Sequence, residues 1–367
     1  MLVGIEFVNN MELLFCLKFL KNSPELKMKS TFQDAINLSS KLSIKKIFNA
    51  LQVSLSFFIS KWNKKLVHWG MPISLSFEPT TSCNLRCPEC PSGLRSFTRP
   101  IGMLQEDLFK KTINELKDKL IYLTFYFQGE PYLHPKFLEM VKYASESGIY
   151  TSTSTNAHYL KDKIAKQTVE SGLDRLIISI DGTTQDTYES YRVGGSLEKV
   201  LEGTKNIVKW KKALNSKTPH IIFQFLVVKP NEHQIPEIYK LAKELGVDEV
   251  KLKTAQIYDF KNGSPLIPTQ LQYSRYQPNP DGTYSIKNEL ENSCWKMWSS
   301  CVITWDGKVV PCCFDKDATH VLGNMQEQSF QTLWKSSEYQ NFRKLLLHSR
   351  DSIEMCQNCT EGTKVWA

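Results

Sequence analysis

The sequence predicts an α/β protein built as a partial (β/α)6 barrel, with a helical extension before it and a small cysteine-rich domain after it. Three observations lead to this prediction. Six apolar strand-like runs alternate with amphipathic helical runs between residues 73 and 253. Nine of the ten cysteines fall in two short regions, one after the first strand and one near the carboxyl terminus. Residues 1–70 hold ten lysines against four acids, whereas the rest of the chain is nearly neutral.

The amino-terminal extension, residues 1–70, contains a basic amphipathic helix in this prediction. Residues 35–77 include no acid, and six lysines flank an apolar middle. One helical stripe there holds Ile47, Leu51, Leu55, Phe58 and Trp62. We favour a helix that packs this stripe against the barrel. The alternative is an interfacial helix that touches an anionic membrane or a partner protein. Residues 1–27 contain a short apolar run interrupted by Lys18, which makes a poor signal peptide.

Strands and helices alternate through residues 71–255. The predicted strands cover residues 73–78, 121–127, 149–154, 174–180, 220–228 and 248–253. The predicted helices between them cover residues 105–119, 135–147, 160–171, 197–213 and 232–245. This alternation is typical of a parallel sheet joined by right-handed crossovers, and six units are too few to close an eight-stranded barrel. Residues 256–293 are then a linker to the carboxyl-terminal domain, residues 294–367.

Polar groups follow the carboxyl ends of the first four predicted strands. A cysteine loop follows strand one, and Gln-Gly-Glu-Pro at residues 128–131 follows strand two. Asn156 closes strand three, and strand four runs into Ser179. Because the carboxyl ends of parallel strands meet at one rim, we expect these groups to surround a single site.

The cysteine loop contains Cys83, Cys87 and Cys90, with no histidine nearby. A structural zinc site usually takes four protein ligands, so three thiols leave one position open. A four-iron cluster held by three cysteines likewise keeps one iron free for an outside ligand. A disulfide turn or a zinc knuckle can share this spacing, so the motif alone leaves those alternatives open.

The ordered set of motifs resembles the radical SAM enzyme superfamily. Cys-Asn-Leu-Arg-Cys-Pro-Glu-Cys is followed by Gly-Glu-Pro, Thr-Asn and Ser-Ile-Asp-Gly. The resemblance implies that the open iron of a 4Fe-4S cluster binds S-adenosylmethionine. It also implies cofactor contacts from Gly129, Glu130, Asn156, Ser179 and Arg192. This sequence departs from the family pattern at Gln128 and Ala157, where glycines are expected.

The carboxyl-terminal segment resembles the SPASM or twitch extension of that superfamily, a small iron–sulfur domain that holds auxiliary clusters. It supplies six cysteines, whereas a full two-cluster domain needs seven or eight and a single-cluster domain needs four. The resemblance therefore implies one auxiliary 4Fe-4S cluster, with ligands Cys294, Cys312, Cys356 and Cys359. Zinc in a four-cysteine site is the alternative.

Three cysteines have no assigned role in this scheme. Cys301 and Cys313 become spare thiols that we expect to be buried, although Cys313 can replace Cys312 as a ligand. Cys16 lies outside both groups. An Asp-Gly pair at residues 306–307 suits a β-hairpin turn that would bring Cys294 near Cys312.

The resemblance implies reductive cleavage of S-adenosylmethionine to a 5′-deoxyadenosyl radical, which removes hydrogen from a substrate carbon. We expect a net two-electron oxidation or modification of a peptide or a sugar-like small molecule, with a flavodoxin- or ferredoxin-like electron donor. The alternative is an iron–sulfur electron-transfer or scaffold protein without substrate radical chemistry.

Charge distribution and cysteine content limit the partners and the cellular compartment that we expect for the protein. The nearly neutral body gives no indication of nucleic-acid binding. Clustered thiols indicate a reducing cytoplasm. Peripheral membrane contact follows only if the amino-terminal helix is interfacial.

Overall fold

The computed structural model describes residues 25–287 and 289–359. All six predicted barrel strands are present: β1 Ser74–Phe77, β2 Tyr122–Thr124, β3 Tyr150–Thr155, β4 Arg175–Ser179, β5 His220–Val227 and β6 Glu249–Thr254. They pair in chain order and run parallel, with Leu75 opposite Leu123 and Ile178 opposite Phe223. The predicted partial barrel is therefore confirmed.

Helices precede the sheet and connect its strands. Two amino-terminal helices are α1 Glu25–Ser40 and α2 Ile44–Asn63. The barrel helices are α3 Pro91–Leu94, α4 Glu106–Leu116, α5 Phe137–Glu146, α6 Asp162–Glu170, α7 Gln185–Tyr191, α8 Leu197–Ala213 and α9 Ile235–Leu245. The sequence prediction did not include α3, which follows the cysteine loop, or α7, which lies between β4 and α8. The apolar faces of the longer helices and the sheet residues together form one continuous core.

The sheet continues across the predicted domain boundary. Three further strands are β9 Ser300–Ile303, β10 Lys308–Val310 and β11 Gly323–Asn324. Strand β9 pairs parallel with β1, so that Cys301 lies opposite Leu75, and β10 pairs antiparallel with β9. The expected hairpin turn is present, and Gly307 adopts a φ of 83° in it. The carboxyl-terminal segment thus extends the barrel sheet at its β1 edge.

The remaining elements flank this extension. They are β7 Tyr276–Pro278, β8 Tyr284–Ile286, α10 Lys296–Ser299, α11 Phe330–Trp334 and α12 Ser337–His348. Strands β7 and β8 form a separate two-stranded ribbon inside the predicted linker. The ring of Tyr276 stacks on Phe260 at a centroid distance of 4.5 Å, and both pack in a cluster with Leu85 and Cys87. The linker therefore covers the cysteine loop.

Polar contacts fasten α1 to the amino ends of the barrel strands. The buried carboxylate of Asp34 accepts hydrogen bonds from Tyr150 and Arg175, the first residues of β3 and β4. The amide of Asn37 donates to Asp174 at 2.8 Å. Helix α1 therefore lies at the end of the barrel opposite the cysteine loop, which follows the carboxyl end of β1.

Helix α2 is fastened at the same end. The Lys46 ammonium donates to the carbonyl of Gly148 at 2.5 Å, just before β3. The Asn49 amide donates to the carbonyl of Met71 at 2.9 Å, shortly before β1. These contacts place both amino-terminal helices at the amino ends of the strands.

The prediction that α2 packs its apolar side chains against the barrel is wrong. Ile47, Leu51, Leu55 and Trp62 are exposed, and Phe58 is half-buried. The opposite face is buried and includes Ala50, Val53, Ser54, Ser56, Phe57 and Ser60.

The physical reason is hydrogen bonding by the small serines. Ser56 donates to the carbonyl of Val53 at 2.9 Å, and Ser60 donates to Ser56 at 2.8 Å. Because their hydroxyls are satisfied by the helix backbone, they can be buried at little cost.

Among the described residues, no single helix has the length and hydropathy to cross a membrane. Residues 30–40 and 44–63 meet that test only as a pair, across a bend of 100°. Cys16 and residues 360–367 lie outside the described residues.

Candidate functional site

The three cysteines that follow β1 line one cavity at the carboxyl ends of the strands. Cys83, Cys87 and Cys90 surround a space of about 160 Å³. Burial raises the pKa of the Cys83 thiol to about 12 and raises that of Cys87. Bound metal holds cysteine sulfur as thiolate, so these thiols would ionise on metal binding.

The described residues contain no group of three or more His, Cys, Asp or Glu side chains placed to hold a metal ion directly. The cysteine loop instead encloses a space, and its three thiols share it with polar groups from β3, β4 and α7. Three soft sulfur donors around such a space fit an iron–sulfur cluster with one open iron.

Gly129 lies directly against the cysteine loop. It has a φ of 75°, and a Cβ atom there would lie 2.2 Å from the carbonyl oxygen of Thr80 and 2.8 Å from that of Ser82. Its amide donates to the Ser92 hydroxyl at 2.9 Å, and the next amide donates to Ser82 at 2.8 Å. Only glycine fits this position, because both the backbone angle and the space exclude a side chain.

The buried carboxylate of Glu130 ties the turn after β2 to the end of β3. It accepts hydrogen bonds from Thr155 Oγ1 at 2.7 Å, from Asn156 N at 2.8 Å and from Tyr132 N at 3.2 Å. Burial raises its pKa to about 7, against the opposing effect of these donors. Glu130 lines the cavity, but its oxygens already accept hydrogen bonds, so it shapes the rim.

Asn156 connects the end of β3 with the cysteine loop. Its Nδ2 donates to Asn84 Oδ1 at 2.8 Å and lies 4.0 Å from Cys83 Sγ. The following residue, Ala157, adopts a φ of 63°, a conformation that glycine takes without strain. Although Ala157 replaces the family glycine, the backbone at this position is still in the left-handed conformation.

Ser179 reaches the cavity from the end of β4, and Arg192 reaches it from the position just after α7. The Ser179 hydroxyl lies 3.4 Å from that of Ser154. Arg192 Nε donates to Asp181 Oδ2 at 2.5 Å, and its Nη1 lies 3.8 Å from Cys87 Sγ. Although burial lowers the pKa of Arg192, Asp181 and Cys87 raise it well above its usual value. The guanidinium is therefore a fixed positive charge beside the cysteines.

The structure adds cavity residues that the sequence did not single out. Tyr126, Phe127, Tyr191 and Leu226 provide apolar walls. The side chain of Gln128, at the family glycine position, is buried, with its Oε1 3.8 Å from Cys90 Sγ. Asp181, which the sequence offered only as part of the Ser-Ile-Asp-Gly motif, accepts a hydrogen bond from Arg192 and holds it in place. Apolar wall residues carry no motif, so only proximity in the fold identifies them.

The carboxyl-terminal cysteines form a second group. Burial raises the pKa of Cys312 well above its usual value, and the nearby thiols of Cys313, Cys294 and Cys359 raise it further. Burial also raises the pKa of Cys356 to about 11, and Cys294 adds to this effect. The predicted auxiliary ligands therefore lie near one another, with Cys313 beside them. Arg350 Nη2 lies 3.6 Å from Cys359 Sγ and provides a buried cation beside them.

The two spare thiols differ from each other. Cys301 is buried on β9 and interacts with Tyr339 rather than with another cysteine. Cys313 is exposed, which contradicts the expectation of burial. It follows Cys312 in a tight surface segment, where its Sγ lies 3.9 Å from Lys296 Nζ.

The buried ion pair of Arg99 with Glu78 lies where the two cysteine regions meet. Arg99, beyond the cysteine loop, donates from Nη1 and Nη2 to Glu78 at 2.6 and 2.5 Å. It also donates to the carbonyl of Lys316 at 3.2 Å, and Thr98 donates to Asp317 at 2.6 Å. These contacts fix the carboxyl-terminal segment against the loop that carries the first cluster site.

Comparison with known proteins agrees with this geometry. The sequence model of the radical SAM superfamily matches residues 77–242, and that of the SPASM iron–sulfur cluster-binding domain matches residues 294–360. The two matches contain all the predicted ligands in both cysteine regions.

Two relatives match most of the chain. A tungsten-containing aldehyde ferredoxin oxidoreductase cofactor-modifying protein from Pyrococcus furiosus is 29% identical over 301 residues, which is 73% of this chain and 82% of the relative. An AdoMet-dependent heme synthase from Methanosarcina barkeri is 26% identical over 322 residues, which is 78% of this chain and 87% of the relative.

Among solved structures, SuiB from Streptococcus suis shares the fold. Its structure bound to S-adenosylmethionine has a TM-score of 0.59 at 14% identity, and the match covers 86% of this chain and 78% of SuiB. SuiB has also been solved bound to precursor peptide SuiA. These matches identify residues 77–242 as a radical SAM domain and residues 294–360 as a SPASM iron–sulfur cluster-binding domain.

Proposed function

We propose that this protein is a radical SAM enzyme that removes a hydrogen atom from a carbon of a peptide or a sugar-like or cofactor-like small molecule. One observation carries the proposal. Three thiols, a fixed guanidinium and the Ser179 hydroxyl line the same cavity at the carboxyl ends of the barrel strands. When bound there, the cluster and S-adenosylmethionine supply a 5′-deoxyadenosyl radical.

The polar residues of the cavity would bind and orient the methionine end of the cofactor. Arg192 offers Nη atoms to a carboxylate, because its Nε is already engaged by Asp181. Ser179 and Asn156 offer hydroxyl and amide groups on neighbouring strands. Because Gly129 has no side chain, its backbone can approach the methionine end of the cofactor. Glu130 holds the rim of the cavity in shape.

The apolar residues would keep water away from the reacting carbon. Leu85, Tyr191 and Ile257 are buried in one cluster around the cysteine loop, and the linker contributes Phe260 and Tyr276 to it. Exclusion of water protects a reactive carbon radical from side reactions. Tyr126 is half-exposed at the cavity wall, which suits contact with an incoming substrate.

We infer a net two-electron oxidation or modification, in which the SPASM cluster accepts one electron from the substrate. A flavodoxin- or ferredoxin-like protein would supply the electron that starts each turnover, in a reducing cytoplasm. The relatives support cofactors and peptides as substrate classes, because one is a cofactor-modifying protein and SuiB has been solved with a precursor peptide.

The first experiment measures 5′-deoxyadenosine. Reduced protein, reconstituted without oxygen, should form 5′-deoxyadenosine from S-adenosylmethionine, and a Cys83→Ala/Cys87→Ala/Cys90→Ala variant should form none. That variant should also lose about four irons per chain and keep the auxiliary cluster. Cys301→Ala, which removes a buried cysteine that is not a predicted ligand, is the matched control. No 5′-deoxyadenosine from protein with both clusters intact would instead favour an electron carrier or scaffold.

The second experiment identifies the substrate class. Deuterated peptides, sugars and heme precursors are offered separately, and transfer of deuterium into 5′-deoxyadenosine is measured by mass spectrometry. Transfer from one class alone identifies the substrate. Formation of unlabelled 5′-deoxyadenosine with every class would show that none of them reacts at the labelled carbons.

A further inference from the structure

Helix α2 exposes large apolar side chains to solvent and buries several polar ones, unlike an ordinary surface helix. Its solvent face carries a stripe of apolar side chains with spacings of three and four residues, which we call the α2 stripe: Ile44, Ile47, Phe48, Leu51, Leu55 and Trp62. Its buried face is largely polar and includes Lys46, Asn49, Ser54, Ser56 and Ser60. A surface helix normally places its apolar residues against the core, so this helix leaves its apolar face for another surface.

The exposure is large and local. Ile44 is 87% exposed and Trp62 is 77% exposed. Nine of the twenty large apolar side chains that are exposed in the described part of the chain lie between residues 32 and 69. A concentration of this kind marks an interaction surface, whereas single exposed apolar residues are ordinary.

The helix cannot simply roll over to bury the stripe. Asn49 accepts a hydrogen bond from the amide of Met71 at 2.8 Å and donates to the carbonyl of the same residue. On the same face, Phe57 packs edge-on against Trp298 at a centroid distance of 5.5 Å. Turning the stripe inward would break these contacts and leave buried polar groups unpaired. The free energy lost in this way exceeds the free energy gained by burying the stripe.

Basic residues border the α2 stripe. At 3.6 residues per turn, Lys45 and Lys61 lie about 100° to either side of its centre. Lys64 and Lys65 follow the end of the helix and are exposed. Lys45 and Lys61 form ion pairs with Asp118 and Glu291, but these pairs are exposed and therefore weak. No acidic residue lies within residues 35–77.

We propose that the α2 stripe docks on an anionic lipid membrane. Apolar side chains enter the boundary between headgroups and acyl chains, while the bordering lysines reach the anionic headgroups. The charge favours this occupant, because a second copy of the chain would place the same basic border against itself. The proposal does not depend on the radical chemistry.

The position of helix α2 determines which way the cavity faces when the stripe is docked. Helix α2 lies at the amino ends of the barrel strands, and the cysteine cavity lies at their carboxyl ends. Docking through the stripe therefore turns the mouth of the cavity away from the bilayer. The bound enzyme then takes its substrate from the aqueous side, and lipid is not the substrate.

Vesicle sedimentation tests the proposal on the full-length, cluster-reconstituted protein. The protein should bind vesicles of equal parts phosphatidylcholine and phosphatidylglycerol at least tenfold more tightly than vesicles of phosphatidylcholine alone, and added salt should weaken binding. A Leu51→Gln/Leu55→Gln/Trp62→Gln variant should bind at least tenfold more weakly. A Lys61→Gln/Lys64→Gln/Lys65→Gln variant should lose the preference for anionic vesicles.

Two controls keep the result interpretable. Leu214→Gln/Leu345→Gln removes exposed apolar residues from other helices and should bind like the unmodified protein. Iron content and melting temperature should match in all variants, because every changed residue is at least partly exposed. Sedimentation that is absent, or unchanged in the stripe variant, overturns the proposal. So does a dimer that the stripe variant abolishes, since a second copy is then the occupant.

Discussion

Arg192 Nε donates a hydrogen bond of 2.5 Å to Asp181 Oδ2, and the Asp181 side chain is completely buried. The other carboxylate oxygen accepts the amide of Leu226 at 2.7 Å. Both oxygens of Asp181 are thus used by donors, and together they fix the guanidinium with Nη1 beside Cys87. The position of the positive charge in the cavity depends on a residue that does not line it.

Asp181→Asn tests this arrangement. An amide can accept through only one atom, so its NH2 group must face either the Leu226 amide or Arg192. We expect the KM for S-adenosylmethionine to rise roughly tenfold and the free energy of unfolding to fall by about 3–5 kcal/mol, because a buried charge loses its partner. Steady-state kinetics and urea unfolding measure these quantities.

The matched control for that change is Glu139→Gln. It removes one partner of the exposed pair with Lys136, and we expect no measurable loss of stability. An Asp181→Asn enzyme with unchanged KM would show that Arg192 does not contribute to cofactor binding through this contact.

Gly129→Ala should prevent assembly of the first cluster site. Its Cβ would overlap the carbonyl oxygens of Thr80 and Ser82, which are backbone atoms of the cysteine loop and cannot move independently. Gly148→Ala is the control, because Gly148 has nearly the same φ, 73°, and no atom within 4 Å of the added Cβ. Both changes carry a left-handed strain of about 1 kcal/mol. Only Gly129→Ala should lose iron after reconstitution, and equal iron contents would contradict this prediction.

His68 should make stability fall in mild acid. Burial, then the charge of Arg343, lowers its pKa from 6.5 to about 3, and its ring lies edge-on to Trp334 at 5.4 Å. Its Nε2 has no hydrogen-bond partner among the described residues. Below pH 6.5 the unfolded chain therefore binds a proton that the folded chain does not.

As the pH falls, His68 alone should therefore decrease the free energy of unfolding by up to about 1.4 kcal/mol per pH unit. Urea unfolding of the cluster-free protein between about pH 6.5 and about pH 5 measures the slope. His68→Phe keeps an aromatic ring in the cluster without titrating, so its curve should be flatter by that amount. Parallel curves for the two proteins would rule out a buried neutral His68.

Cys312 and Cys313 provide a direct test of the auxiliary ligands. Cys312 is less exposed and lies near Cys294 and Cys359 as well as Cys313, whereas Cys313 is exposed beside Lys296. We expect Cys312→Ala to lose the auxiliary cluster, about four irons per chain, and Cys313→Ala to keep it. Iron analysis and electron paramagnetic resonance of the reduced protein distinguish the two. The opposite pattern would assign Cys313 as the ligand.

Local sequence patterns predicted much of the fold. The predicted helix 197–213 coincides with α8 Leu197–Ala213, and the predicted strand 220–228 extends one residue beyond β5 His220–Val227. Periodicity records which residues face the core, so it locates such elements well. The cysteine spacings and the Gly-Glu-Pro turn likewise lie within short segments, and their chemistry can be read without knowing the fold.

Contacts between distant segments could not be read in this way. The stripe of α2 was assigned to the core because apolar residues usually lie there, but Ser56 and Ser60 satisfy their hydroxyls on the helix backbone and take that place. The pairing of Cys301 with Leu75 across β9 and β1 likewise joins residues more than two hundred positions apart.

The sequence by itself determined the radical SAM and SPASM domains, the order of the six barrel strands and the two sets of cysteines, because each depends on residues close together in the chain. The tertiary structure alone decided that Asp181 anchors Arg192, that the linker covers the cysteine loop and that α2 faces outward with its apolar side. Burial and hydrogen-bond partners are properties of the packed chain, so these three features appear only when distant segments meet.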